Sequence, residues 1–449
     1  MRILLLCLFL FCFIASDAQQ KPWECIQTEG DCCAFAKCIT SDEAGNSYVT
    51  GWFNSNSVAL GSGALKFTSL NSGGNMSIVK YDTKGAVVWA KGTVSSESMP
   101  SLSSVIDKDG NSYITGLFGG QSAFDAPPVP GIYRDSSTMT VVKFDTKGHI
   151  LWQKNEAANS KSTSIAIDKN KNVYVTGWFI GDYTTFGTIV LKNPEMCAKK
   201  FFVVKYDPSG NVLWARTTGG KGDVEPSSLV TGPAGNIIIT GTFYGNPVFD
   251  TTSLKSENDY YDIFIVKYNA EGQLVWGKKC GGSFSDYSTS ISVDKDANNY
   301  ISGYFSGSSM VLDTTKLTRK TPGTMDDFNI FIAKFDKHGN LVWAKSADDS
   351  GNGYPDRLAI TNDKAGNCYI GGNFDGGNFS FGGSKLSTNC TSTSNFILKL
   401  NGSGKVLWLK NLGDGNCNSL ASFYVDNKQN CRAIIGSPQS FHMFVFKAN

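Results

Sequence analysis

At 449 residues, 41% hydrophobic and 12% aromatic, the chain has the apolar content for a large folded core, and intrinsic disorder is excluded. Forty-eight glycines against 13 prolines favour many tight turns over extended linkers, which points to an all-β chain. With 41 basic and 39 acidic residues the formal charge is +2, so no broad basic surface for nucleic acid or an anionic membrane is expected.

The first residues, MRILLLCLFLFCFIASDAQQ, combine Arg2, an apolar run from Ile3 to Ile14, and the small residues Ser16 and Ala18 before a cleavage point. This reads as a secretory signal peptide over 1–18. The run is too short to span a bilayer as a helix, and no other segment is long enough. The mature chain is expected to begin near Gln19, exported to the periplasm or the cell surface. Ten cysteines remain: Cys25, Cys32, Cys33, Cys38, Cys197, Cys280, Cys368, Cys390, Cys417 and Cys431. An even count in an exported chain predicts some disulfides, with connectivity left open.

Two phrases alternate along the rest. The first runs DEAGNSYVTGWF, DKDGNSYITGLF, DKNKNVYVTGWF, GPAGNIIITGTF, DKDANNYISGYF, DKAGNCYIGGNF and, degenerately, DNKQNCRAIIG. Its Asn falls at 46, 111, 172, 236, 299, 367 and 430. The second runs KYDTKGAVVWAK, KFDTKGHILWQK, KYDPSGNVLWAR, KYNAEGQLVWGK, KFDKHGNLVWAK and KLNGSGKVLWLK. Each phrase is a β-rich run, a polar turn and a second β-rich run, so each is a hairpin. Two hairpins make a four-stranded antiparallel blade, and blades with two apolar faces need a neighbour on each side. The expected fold is an all-β, seven-bladed β-propeller over 19–449. Its blades lie near 35–91, 100–154, 161–216, 225–279, 287–345 and 355–410, with a seventh from 419–449 plus 20–26.

The Trp phrase occurs six times, at Trp89, Trp152, Trp214, Trp276, Trp343 and Trp408, and is missing from the last blade. Trp23, in KPWEC, stands in step with the series, so the strand around it is predicted to complete blade seven and close the ring. A disulfide from Cys25 to Cys431 or Cys417 would staple that closure. The seven tryptophans are read as structural anchors between blades. The recurring Lys80, Lys143, Lys205, Lys267, Lys334, Lys399 and Lys447 are read as packed stems with locally paired amines.

The paired phrases resemble the bacterial β-propeller repeat family often called SBBP, from about residue 20 to the end. That resemblance implies an exported or cell-surface propeller and no catalytic residues. The Trp phrase also resembles the tryptophan-docking motif of quinoprotein dehydrogenase propellers, and the adjacent Cys32 and Cys33 are similar to the cysteine pair beside their quinone. Those propellers usually have eight blades, and no matching calcium-and-base constellation is present here.

Strand alternation places both short turns of every blade on one face and the longer segments, near 54–76, 119–139, 180–200, 244–262, 306–329 and 375–394, on the other. Patterns such as TTFGTIVLKN and PVFDTTSLKS suggest a small extra hairpin in these segments. On the loop-rich face Tyr133, Arg134, Tyr260, Tyr261, Asp326, Asp327 and Phe328 are the candidate contact residues, because exposed aromatics and Arg on loops anchor partners. Asp107, Asp109 and Asn111 have calcium-loop spacing but lack the closing Glu, so no metal is expected. The three histidines, His149, His338 and His442, offer no catalytic grouping. The expectation is a scaffold that is not an enzyme, without cofactor, docking a protein of the cell envelope through its loop-rich face, in secretion or adhesion machinery. The alternatives are a glycan-binding module and a channel-centred enzyme, a carboxylate-based glycosidase or lyase before a quinoprotein-like dehydrogenase.

Overall fold

The computed structural model describes residues 24–28, 34–53, 57–60, 63–66, 75–93, 103–118, 138–319, 325, 327–348, 358–375, 377–388, 393–412, 419–426, 430–437 and 440–447. These residues form the seven blades of a β-propeller. Each blade is a meander: in blade three, Ser160–Ile167, Val173–Phe179, Lys200–Tyr206 and Val212–Thr217 pair in that order from axis to rim. Blade seven takes Ser419–Val425, Asn430–Ser437 and Ser440–Lys447 from the C-terminal end, and its fourth strand is Glu24–Thr28. That strand runs antiparallel to Ser440–Lys447, Cys25 opposite Phe444, so the ring is closed by joining the two ends of the chain.

The repeated residues are explained by a network that crosses from each blade to the next. In the inner turn, Asp107 Oδ1 accepts from the backbone N–H of Asp109 and of Asn111, and Oδ2 accepts from the Asn111 side chain and the Tyr113 hydroxyl. The same set recurs at Asp168 and Asp294. The Lys143 amine lies 5.0 Å from the centre of the Tyr113 ring. It donates to the Pro208 carbonyl in the outer turn of the next blade at 3.3 Å, and the Trp152 indole N–H donates to that same oxygen at 3.1 Å. Lys205 and Trp214 converge likewise on the Ala270 carbonyl, at 2.9 and 3.0 Å. The glycine of that outer turn is obligatory: Gly272 has φ +77°, and a Cβ on it would meet the Trp214 ring at 2.8 Å.

Near the axis a second set of contacts runs in the same direction. The hydroxyls of Ser103, Ser164, Ser228, Ser290 and Ser422 each accept a backbone N–H from the following blade, at 3.1 to 3.4 Å. The extra hairpins form, as at Tyr183–Phe186 with Ile189–Lys192. They do not crown the loop-rich face. They fold back on the rim, burying Phe186 and Leu191 in one core cluster and Met310, Leu312 and Leu317 in another. Their alternating apolar residues explain this, because such a hairpin has one face to bury.

The proposed Cys25–Cys431 disulfide is corrected. Cys25 pairs with Phe444 while Cys431 pairs with Phe446, so a whole strand lies between them. Two strand spacings of about 4.8 Å exceed the roughly 7 Å that a disulfide can bridge. Cys431 is a buried free thiol, and Cys417 and Trp23 lie outside the described residues.

Trp214→Ala should lower the urea-derived unfolding free energy by about 3–5 kcal/mol. Leu213→Ala, one residue away and 50% exposed, should change it by less than about 0.5 kcal/mol.

Candidate functional site

Two regions place polar chemistry together. The first is the channel mouth on the short-turn face, a cavity of about 430 Å³ between blades six, seven, one and two. Asp42, Glu43, Asp107, Lys108, Lys364, Tyr424 and Asp426 are among its lining residues. Its aspartates look catalytic in projection, but their oxygens are occupied. Asp42 accepts from the Asn46 N–H and side chain and from Tyr48, with the Lys80 amine 3.7 Å away. Asp426 accepts from Asn430, and Arg432 lies 3.4 Å from it. Burial and the adjacent carboxylates push the Tyr48 and Tyr113 phenols well above their ordinary range, so these tyrosines stay protonated donors.

The second region lies on the loop-rich face where blade four meets blade five, and on the short-turn face of that same junction the repeat breaks. Gly232 and Ile238 replace the turn Asp and the strand Tyr, Lys267 has lost those partners, and the Trp276 indole N–H is buried without an acceptor. The last strand of blade four, Leu274–Gly282, runs on to pair with the extra hairpin of blade five.

Across this junction runs a row of aromatic rings that ends in a three-ring cluster, since Phe328 lies 6.3 Å from Tyr287 as well as against Tyr304. Tyr244 lies 6.0 Å from Tyr261, Tyr261 stacks on Tyr287 at 6.2 Å and 27°, Tyr287 lies 5.2 Å from Tyr304, and Tyr304 meets Phe328 edge-on at 5.3 Å. Tyr244 is exposed, Tyr261, Tyr287 and Phe328 are half-buried, and Tyr304 is buried at the base. The Tyr261 hydroxyl donates to Asp223 Oδ2 at 3.4 Å. Burial, then the Asp223 charge, pushes its pKa up to about 12. Beside it Lys199 pairs with Glu225 at 2.8 Å and sits 5.0 Å from the Trp178 ring. The row thus offers aromatic surface flanked by one cation, two acids and the protonated Tyr261 phenol.

Two aspartates lie beneath the row. Asp262 is pushed up to about 6, by burial foremost and against the pull of Lys279, and burial raises Asp286 well above the carboxylate range. Both are inaccessible from solvent, so neither touches a ligand on the surface.

Of the contact residues expected from sequence, Tyr261 and Phe328 belong to the row, and Tyr260 packs beside it against Phe284 at 5.3 Å. Asp327 directly precedes Phe328. Tyr133, Arg134 and Asp326 lie outside the described residues. Tyr244, Tyr287 and Tyr304 were not anticipated. Comparing blades position by position would have singled out Tyr287, which stands where blade three has Lys161 and blade four Glu225.

A comparison with protein families finds no match. Among curated proteins the chain is similar to an uncharacterized WD repeat-containing protein, L264, of Acanthamoeba polyphaga mimivirus. The two are 26% identical over 364 residues, covering 66% of this chain and 26% of L264, so the chain spans about a quarter of that relative. Among solved structures it is similar to the polysaccharide lyase Uly1 (9% identity, 92% of this chain and 90% of that one, TM-score 0.45). It is also similar to a PL25 ulvan lyase bound to a GlcA-Rha3S saccharide (9%, 94% and 96%, TM-score 0.44). Both neighbours are enzymes, which corrects the expectation that the chain is not one: similar propellers carry catalysis, and the lack of a catalytic motif in the sequence does not assign a non-catalytic role.

Asp168→Ala should lower stability by about 2–3 kcal/mol, since four donors lose a charged acceptor. Chemical denaturation measures this, and an unchanged midpoint would show the carboxylate is not needed for the turn.

Proposed function

We propose that the chain is an exported, carbohydrate-directed β-propeller that holds an extended glycan along the aromatic row at the junction of blades four and five. The observation that carries this reading is the row itself, Tyr244 to Phe328, with successive rings 5.2 to 6.2 Å apart. Flat aromatic faces pack on the apolar faces of sugar rings, and a surface running from Tyr244 through Tyr261 to the cluster of Tyr287, Tyr304 and Phe328 suits an extended saccharide better than a compact metabolite. Asp223, Glu225, Lys199 and the Tyr261 hydroxyl supply the few directional groups that sugar hydroxyls need. The signal peptide expected over 1–18 and the resemblance to exported repeat propellers belong to the same proposal, since polysaccharides of this kind are met outside the cell.

A cell-envelope protein partner would use the same surface, because partly exposed tyrosines also anchor protein interfaces. The two readings separate on a glycan array followed by calorimetry with the purified mature chain. Glycan binding weakened about tenfold or more by Tyr261→Ala or Tyr287→Ala, about 1.4 kcal/mol per tenfold, is expected. Absence of any bound glycan, or folded variants that bind unchanged, would remove the carbohydrate reading and leave the protein one. Shortening of the bound polysaccharide in the same samples would assign cleavage to the site.

A further inference from the structure

The strands that bring Tyr261 and Tyr287 together also carry Asp262 and Asp286, one residue after the first tyrosine and one before the second. Side chains alternate along a strand, so each tyrosine faces the row while its aspartate turns inward. The Asp286 N–H donates to the Tyr261 carbonyl at 2.7 Å, which ties the two segments at this point.

Inside, the carboxyls flank Gly281. A Cβ on that glycine would overlap Asp262 Oδ1 and crowd Asp286 Oδ2, so the last strand of blade four has room here only for glycine. Asp262 is 1% exposed and Asp286 0%. Oδ1 of each is buried with no hydrogen-bond partner. The remaining oxygens are held: Asp286 Oδ2 accepts the Gly282 N–H at 2.6 Å, and Asp262 Oδ2 accepts the Glu257 N–H at 3.0 Å with the Lys279 amine at 3.4 Å. The groups facing the pair are Glu257 from the loop before Asp262, Lys279 and the buried Cys280 thiol from the strand Leu274–Gly282, and, from blade five, the Ser306 N–H, which donates to the Ser285 carbonyl at 3.2 Å and also favours the charged form of Asp286 without outweighing its burial. Lys279 is shared with Glu257 at 2.7 Å. Three carboxyls therefore face one ammonium, and two unpaired buried carboxylate oxygens are tolerable only while a proton is present.

We propose that Asp262 and Asp286 form a proton-operated latch for the tyrosine row: while the pair retains a proton, Tyr261 is held against Tyr287, and its loss sets two like charges across Gly281 and opens the stack. The raised pKa values agree in direction, since burial favours the neutral carboxyl. A carboxyl whose pKa is higher folded than unfolded contributes stability in full below the ordinary carboxylate range. That contribution is lost as pH rises, through about 6 for Asp262 and through the raised pKa of Asp286. The consequence for ligand, strong binding at low pH and weak binding in mild alkali, rests on the glycan reading above.

The test follows the unfolding midpoint and the near-ultraviolet circular dichroism of the mature chain from pH 5 to 9, for wild type, Asp286→Asn and Asp262→Asn. Each amide removes one of the two charges, so either variant suffices if the other fails to fold. The latch predicts that midpoint and aromatic signal fall together with rising pH in the wild type and that the fall is flattened in the variants. A flat wild-type profile, or variants that keep its slope, overturns it, as does a midpoint at pH 8 that is restored by calcium and abolished by chelator. Calorimetry with cellohexaose and chitohexaose at pH 6 and 8.5 should show about tenfold weaker binding at the higher pH for wild type and none of that loss in Asp286→Asn. If neither sugar binds but the spectroscopic profile shifts as described, the glycan reading falls and the latch stands.

Discussion

At four junctions among the described residues the ring is held by a single shared acceptor: one backbone carbonyl in the outer turn of the following blade, Thr146, Pro208, Ala270 or Gly402, on which a lysine amine and a tryptophan indole from the preceding blade converge. A propeller blade cannot bury both faces alone, and the four-stranded meander of one blade does not pair with that of the next, the only strand pairing between blades among the described residues running through the extra hairpins. The lysine and tryptophan bond one meander to the next, the glycine beside the carbonyl admits the indole, and the Asp and Tyr of the inner hairpin hold the lysine in place. A sequence phrase that looks like a hairpin signature is therefore equally an instruction about the next blade.

The interest of the junction between blades four and five follows from this regularity. The network loosens there: Lys267 reaches the Lys337 carbonyl at 2.8 Å but lacks the Asp and Tyr that flank its counterparts, and Trp276 finds no acceptor. On the opposite face of the same junction the chain places residues that ring closure does not require, namely two buried aspartates and a run of tyrosines. Departures from an otherwise consistent local pattern are where function is expected to displace stability. By contrast, the aspartates at the channel mouth, Asp42, Asp107 and Asp426, obey the repeat and are spent on turns.

Much of this fold could be read in the sequence because its determinants are local. Asp, Asn and Gly at fixed offsets specify the turns, and recurrent Trp gives the period, including the step from Trp89 back to the strand that closes blade seven. The extra hairpins were visible in patterns such as TTFGTIVLKN and PVFDTTSLKS, yet their packing on the rim was not, because the surface they cover belongs to the outer strands. Tyr261 and Phe328 stood out as loop aromatics. Asp262 did not, although its position opposite the strand-two Phe is occupied by Asn75, Thr138, Lys200, Asn329 and Ser394 in other blades, so an acid there was a departure to notice. Its burial and its pairing with Asp286 come from segments 24 residues apart that meet only when two blades are assembled, and no local spacing announces that.

The most direct test of the central claim is hydrogen–deuterium exchange by mass spectrometry on the mature chain, with and without a polysaccharide selected for binding. The account predicts protection confined to the segments around 223–225, 256–262 and 284–287, with the inner turns at 42–46 and 107–111 unchanged. Protection at those inner turns, with the blade four–five junction unaltered, would place the ligand at the channel mouth and contradict it.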